Sequence, residues 1–228
     1  MKPGDIVRDI FQSAQEIPEP FSSLSDDEKR SAHSLLSRFE RAEAEYGPLP
    51  HSEILRPMLL SKNGRYAEAL ALTEQCYRQT PNWETAAAAA SAARRAGDLE
   101  RAVAMFAEAA EHDPKDVTSF LDIGDIRLEQ DRWADALAAY DKALARDAGH
   151  QWAQWALPSA FYCRHHLGIE GEWLASLREV ANQEGCTCGL EGCLTSIFGG
   201  YGSSRGIERA QYLLGKMDNG SAQIPRET

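Results

Sequence analysis

ETAAAAASAARRAG, residues 84–97, carries eight alanines in fourteen positions. Alanine has the highest intrinsic helix propensity, so the stretch reads as a helix. What keeps that helix in place is the harder matter. Methyl groups offer little volume to a core and no chemistry to a ligand, and an isolated helix of this length is marginal in water. Other elements must come very close to it, and those neighbours decide the fold.

Self-similarity at a fixed period locates them. Three segments align: Gly64, Tyr66 and Ala69; Gly97, Leu99, Ala102, Phe106, Ala109 and Pro114; Asp131, Trp133, Ala136, Tyr140 and Ala143. Ala69 to Ala102 is 33 residues, and Ala102 to Ala136 is 34. Each segment reads as helix, turn, helix. Pro81 and Pro114 close the first two, because proline cannot continue a helix, and Ala148 and Gly149 stand near that place in the third. Small residues at Ala69, Ala102 and Ala136 let the second helix approach the first. Phe106 and Tyr140 fill the space between adjacent pairs. Each pair leaves an apolar face open, so the pairs must stack. The alanine-rich helix is then the first helix of the middle pair, wedged between neighbours. Alanine allows interaxial distances at or below the low end of the usual range.

This pattern resembles the tetratricopeptide repeat. Residues 83–116 carry the second-half spacing of that family in Gly97, Leu99, Ala102, Phe106, Ala109 and Pro114. Residues 117–150 add the first-half signature in Phe120, Ile123 and Gly124. Residues 50–82 match less well, with Arg56 and Pro57 for leucine and glycine and Thr73 for the second-helix aromatic. The resemblance implies an all-α fold, a right-handed α-solenoid of helix hairpins over residues 50–183. Within it, residues 151–183 form an irregular fourth pair. Gly171, Trp173 and Ser176 repeat the turn pattern, but Ser176 falls 40 residues after Ala136. Pro158 in this segment should start, kink or break a helix.

Residues 1–49 read as a helical cap. One helix lies within Pro3 to Gln15. Ile17 to Leu24 is a loop. A second helix starts near Ser25, with Asp26, Asp27 and Glu28 suited to a helix N-terminus, and runs toward Tyr46. Residues 184–228 read as a glycine- and cysteine-rich segment, a short amphipathic helix from Ser204 to Lys216, and a disordered tail from Asp218.

The formal net charge is −11 and no basic patch is segregated. Such a surface repels nucleic-acid phosphates and anionic membranes. No stretch approaches the roughly 20 apolar residues of a membrane span, and Met1 to Gln12 has no signal-peptide core. Five cysteines, an odd number, argue against a fully paired secreted framework. A cytoplasmic location is expected.

Three of those cysteines, Cys186, Cys188 and Cys193, sit in EGCTCGLEGC. Interleaved glycines could fold several thiolates onto one point, with Cys163, His165 or His166 as a fourth zinc ligand. The spacing is not the paired C-x2-C of zinc motifs, so buried thiols or redox chemistry are the competing readings. The alternative function is therefore a metal- or redox-responsive protein; no cofactor is otherwise expected. The glycine run Gly199 to Gly206 lacks the strand and lysine of a phosphate loop. No nucleophile arrangement and no carboxylate pair in an apolar setting is visible, so an enzyme is not expected.

The remaining candidate comes from the resemblance, which places first helices on the concave side of the solenoid. Their outward positions would be Ala87, Ser91, Arg94 and Arg95 in the middle pair, and Leu121, Asp122, Asp125, Leu128 and Glu129 in the next. Asp122, Asp125 and Glu129, spaced i, i+3, i+7, form a carboxylate stripe that favours a basic segment. One subset of the family clamps acidic C-termini with basic side chains. At the matching positions this chain has mostly Ile54, Met58, Ala87 and Ser91, with only Lys62, Arg94 and Arg95 nearby, so that function is not carried over. The expected function is a non-catalytic adaptor that holds a protein or peptide partner; self-association is left open.

Overall fold

The computed structural model describes residues 2–18, 21–146 and 153–169. Among them every regular element is helical: α1 (Pro3–Gln15), α2 (Asp26–Tyr46), α3 (Ser52–Lys62), α4 (Tyr66–Gln79), α5 (Trp83–Arg95), α6 (Leu99–His112), α7 (Thr118–Glu129), α8 (Trp133–Arg146) and α9 (Ala153–His166). The expected loop holds one 3-10 turn, Phe21–Ser23, and its ends Ile17 and Leu24 are buried. The chain divides into two compact units, Met1–Asp113 and Pro114–Thr228.

Each hairpin is closed by the same device. Gly64, Gly97 and Asp131 have φ of 70°, 82° and 57°. The residue after each donates its N–H to a carbonyl five positions back: Arg65 to Leu60 at 2.9 Å, Asp98 to Ala93 at 3.0 Å, Arg132 to Arg127 at 2.9 Å. This 6→1 bond satisfies a carbonyl that the helix end would otherwise orphan. The left-handed conformation it requires suits glycine, and aspartate is among the few others that adopt it. The end of α9 repeats the device, with Gly168 at φ 67° and Ile169 N–H on the Arg164 carbonyl at 2.9 Å. This turn stands three residues before Gly171, which lies outside the described residues, as do Trp173 and Ser176. α9 runs through position 158 without a break, where proline was expected to start, kink or break it.

The alanine-rich helix is α5, and it packs against both α4 and α6. Ala86, Ala89, Ala90 and Ala93 are fully buried and Ala92 nearly so. Their spacing lays one broad buried stripe along the helix, which a methyl-only surface can present to two neighbours at once. Asn82 starts it: the side-chain oxygen of Asn82 accepts the Thr85 N–H at 2.9 Å, and the Thr85 hydroxyl accepts the Asn82 N–H at 3.3 Å. Asn82→Ala should cost about 1 kcal/mol through the lost cap. Denaturant unfolding followed by circular dichroism reads this directly, and an unchanged midpoint would refute the assignment.

The N-terminal helices pack on α3. Ile6, Ile10 and Ala14 of α1, Leu35, Leu36 and Phe39 of α2, and Leu55, Leu59 and Leu60 of α3 belong to one buried cluster. Polar groups fix the register around it. Asn63 donates to the Ala32 carbonyl at 3.0 Å and to Leu59 at 2.8 Å, Lys62 donates to the Ile17 carbonyl at 2.5 Å, and Arg56 pairs with Glu43.

In the second unit α8 packs against both α7 and α9. The Tyr140 ring is buried over Gly124, where a β-carbon would overlap it. Glycine at this position is therefore a packing requirement. Asp116 starts α7, accepting the Thr118 N–H at 2.9 Å and the Ser119 N–H at 3.2 Å.

Candidate interaction groove

Within the first unit an open groove of about 650 Å³ is walled by α3, α4 and α5. From α3 come Glu53, Ile54, Pro57, Met58 and Ser61. From α4 come Ala69, Thr73, Cys76 and Gln79, with Thr80 just beyond it. From α5 come Glu84, Thr85, Ala88, Ser91, Ala92 and Arg95. Its floor is apolar and buried at Pro57, Ala69 and Ala92; its rim carries the charges of Glu53, Glu84 and Arg95. Ile54 projects into it with 60% of its surface exposed.

The groove residues expected from sequence divide accordingly. In α5, Ser91 and Arg95 line this groove, whereas Ala87 and Arg94 do not, although both are half-buried. In α7, which belongs to the other compact unit, Leu121, Asp122, Asp125 and Glu129 are half-buried. Leu128 differs from expectation: at 3% exposure it is part of the core and offers nothing to a ligand. Asp125 has a structural bond, accepting the Tyr140 hydroxyl at 2.6 Å. That carboxylate and the burial of the phenol together hold the Tyr140 hydroxyl well above its ordinary ionisation range, burial being the larger cause. Lys62, basic and near the groove, is held by the Ile17 carbonyl.

The zinc candidates meet differently. Cys186, Cys188 and Cys193, like the Gly199 to Gly206 run and the Ser204 to Lys216 helix, lie outside the described residues. Cys163 is buried on α9, and the His166 ring stacks on Trp133 at 4.3 Å, with planes 8° apart. The His165 side chain also lies outside what is described. Among the described residues no three His, Cys, Asp or Glu side chains converge as a metal site would need. No described helix is long and apolar enough to cross a membrane.

Sequence reasoning did not assemble the α3–α4–α5 groove. Its signal was present in Thr73, a small residue at a position otherwise held by Phe106 and Tyr140, and in Cys76, the α4 counterpart of Ala109 and Ala143.

Residues 87–150 match the family described as tetratricopeptide repeat. That segment carries the tetratricopeptide repeat pattern. The matched segment covers α6 to α8 and most of α5, which hold the clearest small-residue and aromatic register. Solved structures extend the likeness of the fold. A tetratricopeptide repeat protein from Parabacteroides merdae ATCC 43184 is 13% identical over 96% of this chain and 82% of its own, with a TM-score of 0.56. MamA is 12% identical over 71% of this chain and 96% of its own, with a TM-score of 0.50. No curated protein matches the sequence. At these identities the two structures bear on the fold alone, which is the all-α repeat class expected from the resemblance. Tetratricopeptide repeats are in general scaffolds for protein interaction rather than catalysts, because stacked hairpins present an extended surface.

Proposed function

We propose that this protein is a non-catalytic adaptor that holds a segment of a protein partner on the first-helix faces of its repeats. The observation that carries this reading is the groove of about 650 Å³ between α3, α4 and α5, with a buried apolar floor and a charged rim. A concave site with an apolar base and polar groups around it is the ordinary form of a binding site. The chain's net charge of −11 and the half-buried Asp122 and Glu129 on α7 favour a basic segment.

The test uses a fluorescein-labelled peptide of alternating lysine and glycine. Asp122→Lys with Glu129→Lys should weaken its binding about fivefold or more at low salt, with the difference shrinking as salt rises. Asp125 is left intact because it holds Tyr140. Equal affinity for the variant and the parent, with helicity preserved, would remove the basic-segment assignment.

A further inference from the structure

The hairpins can be compared at one position. Four residues after the close-approach alanines Ala69, Ala102 and Ala136 stand Thr73, Phe106 and Tyr140. In the third hairpin the Tyr140 ring occupies the gap between its own first helix, α7, and the next first helix, α9. Gly124 and Asp125 of α7 meet it on one side, and Ser159 and Cys163 of α9 stand beside its hydroxyl. The ring is 1% exposed.

In the first hairpin the corresponding gap lies between α3 and α5, and it is where the groove opens. Thr73 reaches it with one methyl, because its hydroxyl donates to the Ala69 and Leu70 carbonyls at 3.1 and 3.0 Å. Pro57 stands where Gly124 stands in the third hairpin, and Ala92 and Met58 complete the apolar walls. The site has the position and lining of an aromatic pocket without the aromatic residue.

We propose that this gap is a socket for the ring of a phenylalanine or tyrosine carried by a partner peptide, which supplies from outside the group that the first hairpin lacks. The exposed carboxylates of Glu53 and Glu84 at the mouth fit a basic residue beside that ring. This rests on reading the groove as a peptide site. The occupant is one aromatic side chain with a neighbouring positive charge, held as a buried anchor with polar surroundings.

Cys76 lines the socket and is half-buried, so its thiol reports occupancy. Two acetylated, amidated peptides, Gly-Lys-Phe-Lys-Gly and Gly-Lys-Ala-Lys-Gly, are titrated against the full chain. Iodoacetamide labelling of Cys76 is followed by mass spectrometry of its tryptic fragment. The phenylalanine peptide should bind about tenfold or more tightly than the alanine peptide, and only it should slow Cys76 labelling several-fold. Thr73→Phe, which restores the ring from within, should abolish the preference and slow Cys76 labelling without peptide. It should also raise Tm by about 2–6 °C. Equal affinity of the two peptides, or no protection of Cys76, overturns the socket whether or not Thr73→Phe folds. If both peptides bind equally and Asp122→Lys with Glu129→Lys weakens both, the α7 assignment survives and the socket fails. If the phenylalanine preference and Cys76 protection persist while that charge variant changes nothing, the socket stands and the α7 assignment fails.

Discussion

Tyr140→Ala should destabilise the Pro114–Thr228 unit by about 3–5 kcal/mol, the range for deleting a large buried aromatic. Three features place it there. The ring is 1% exposed, so nearly all of its surface returns to water on unfolding. At Gly124 the backbone of α7 lies against the ring with no side chain of its own to fill the space. The Tyr140 hydroxyl also donates to Asp125 at 2.6 Å, and truncation removes that bond. Tyr140→Phe keeps the ring and should cost only about 1 kcal/mol, because the half-buried Asp125 carboxylate can regain water. Denaturant unfolding monitored by tryptophan fluorescence, with Trp133 in the same unit, separates the two. A cost below about 1 kcal/mol for the alanine variant would mean that the ring is not the filler of this hairpin.

The same residue sets a pH dependence. Burial first, and then Asp125, raise the Tyr140 ionisation above its unfolded value. The unfolded chain therefore releases this proton at lower pH than the folded one. The stability linked to it is complete below about pH 10, and is lost as pH rises through the folded value. Tyr140→Phe should remove that part of the alkaline loss. Identical alkaline profiles for parent and variant would contradict the burial of the hydroxyl.

Ala90→Leu is the second large effect. Ala90 is fully buried in α5, which packs against both α4 and α6. Three added carbons have nowhere to go without moving a helix, and overpacking of this kind costs about 1–3 kcal/mol and occasionally more. Ala88→Leu is the control. Ala88 is exposed on the groove side of the same helix, so its change should stay within about 0.5 kcal/mol. Thermal unfolding of both variants decides the matter. If Ala90→Leu melts with the parent, α5 is not held at short range by its neighbours.

Much of the fold was legible because its signals are local. Asp26, Asp27 and Glu28 marked the start of α2. Pro81 and Pro114 follow the ends of α4 and α6. The turn residues Gly64, Gly97 and Asp131 all take positive φ. The turn of the fourth pair was sought at Gly171, which lies outside the described residues; Gly168 makes the turn that ends α9. Of the positions counted out by helical phase, Ser91 and Arg95 line the α3–α5 groove, whereas Leu128 is buried. Helical phase gives the direction of a side chain but not how close the next element stands.

What the residues alone determined is the hairpin repeat: its period, the places of its turns and the small residues where helices meet. Each depends on neighbours within a few positions, where backbone preference and side-chain size act directly. What only the tertiary structure decided is where surface remains open. Asp125 is tied to a hydroxyl fifteen positions away, Lys62 to a carbonyl forty-five positions away, and the α3–α5 gap is left unfilled beside Thr73. Those outcomes depend on distances between elements remote in the chain, and packing sets such distances only once all the helices are in place.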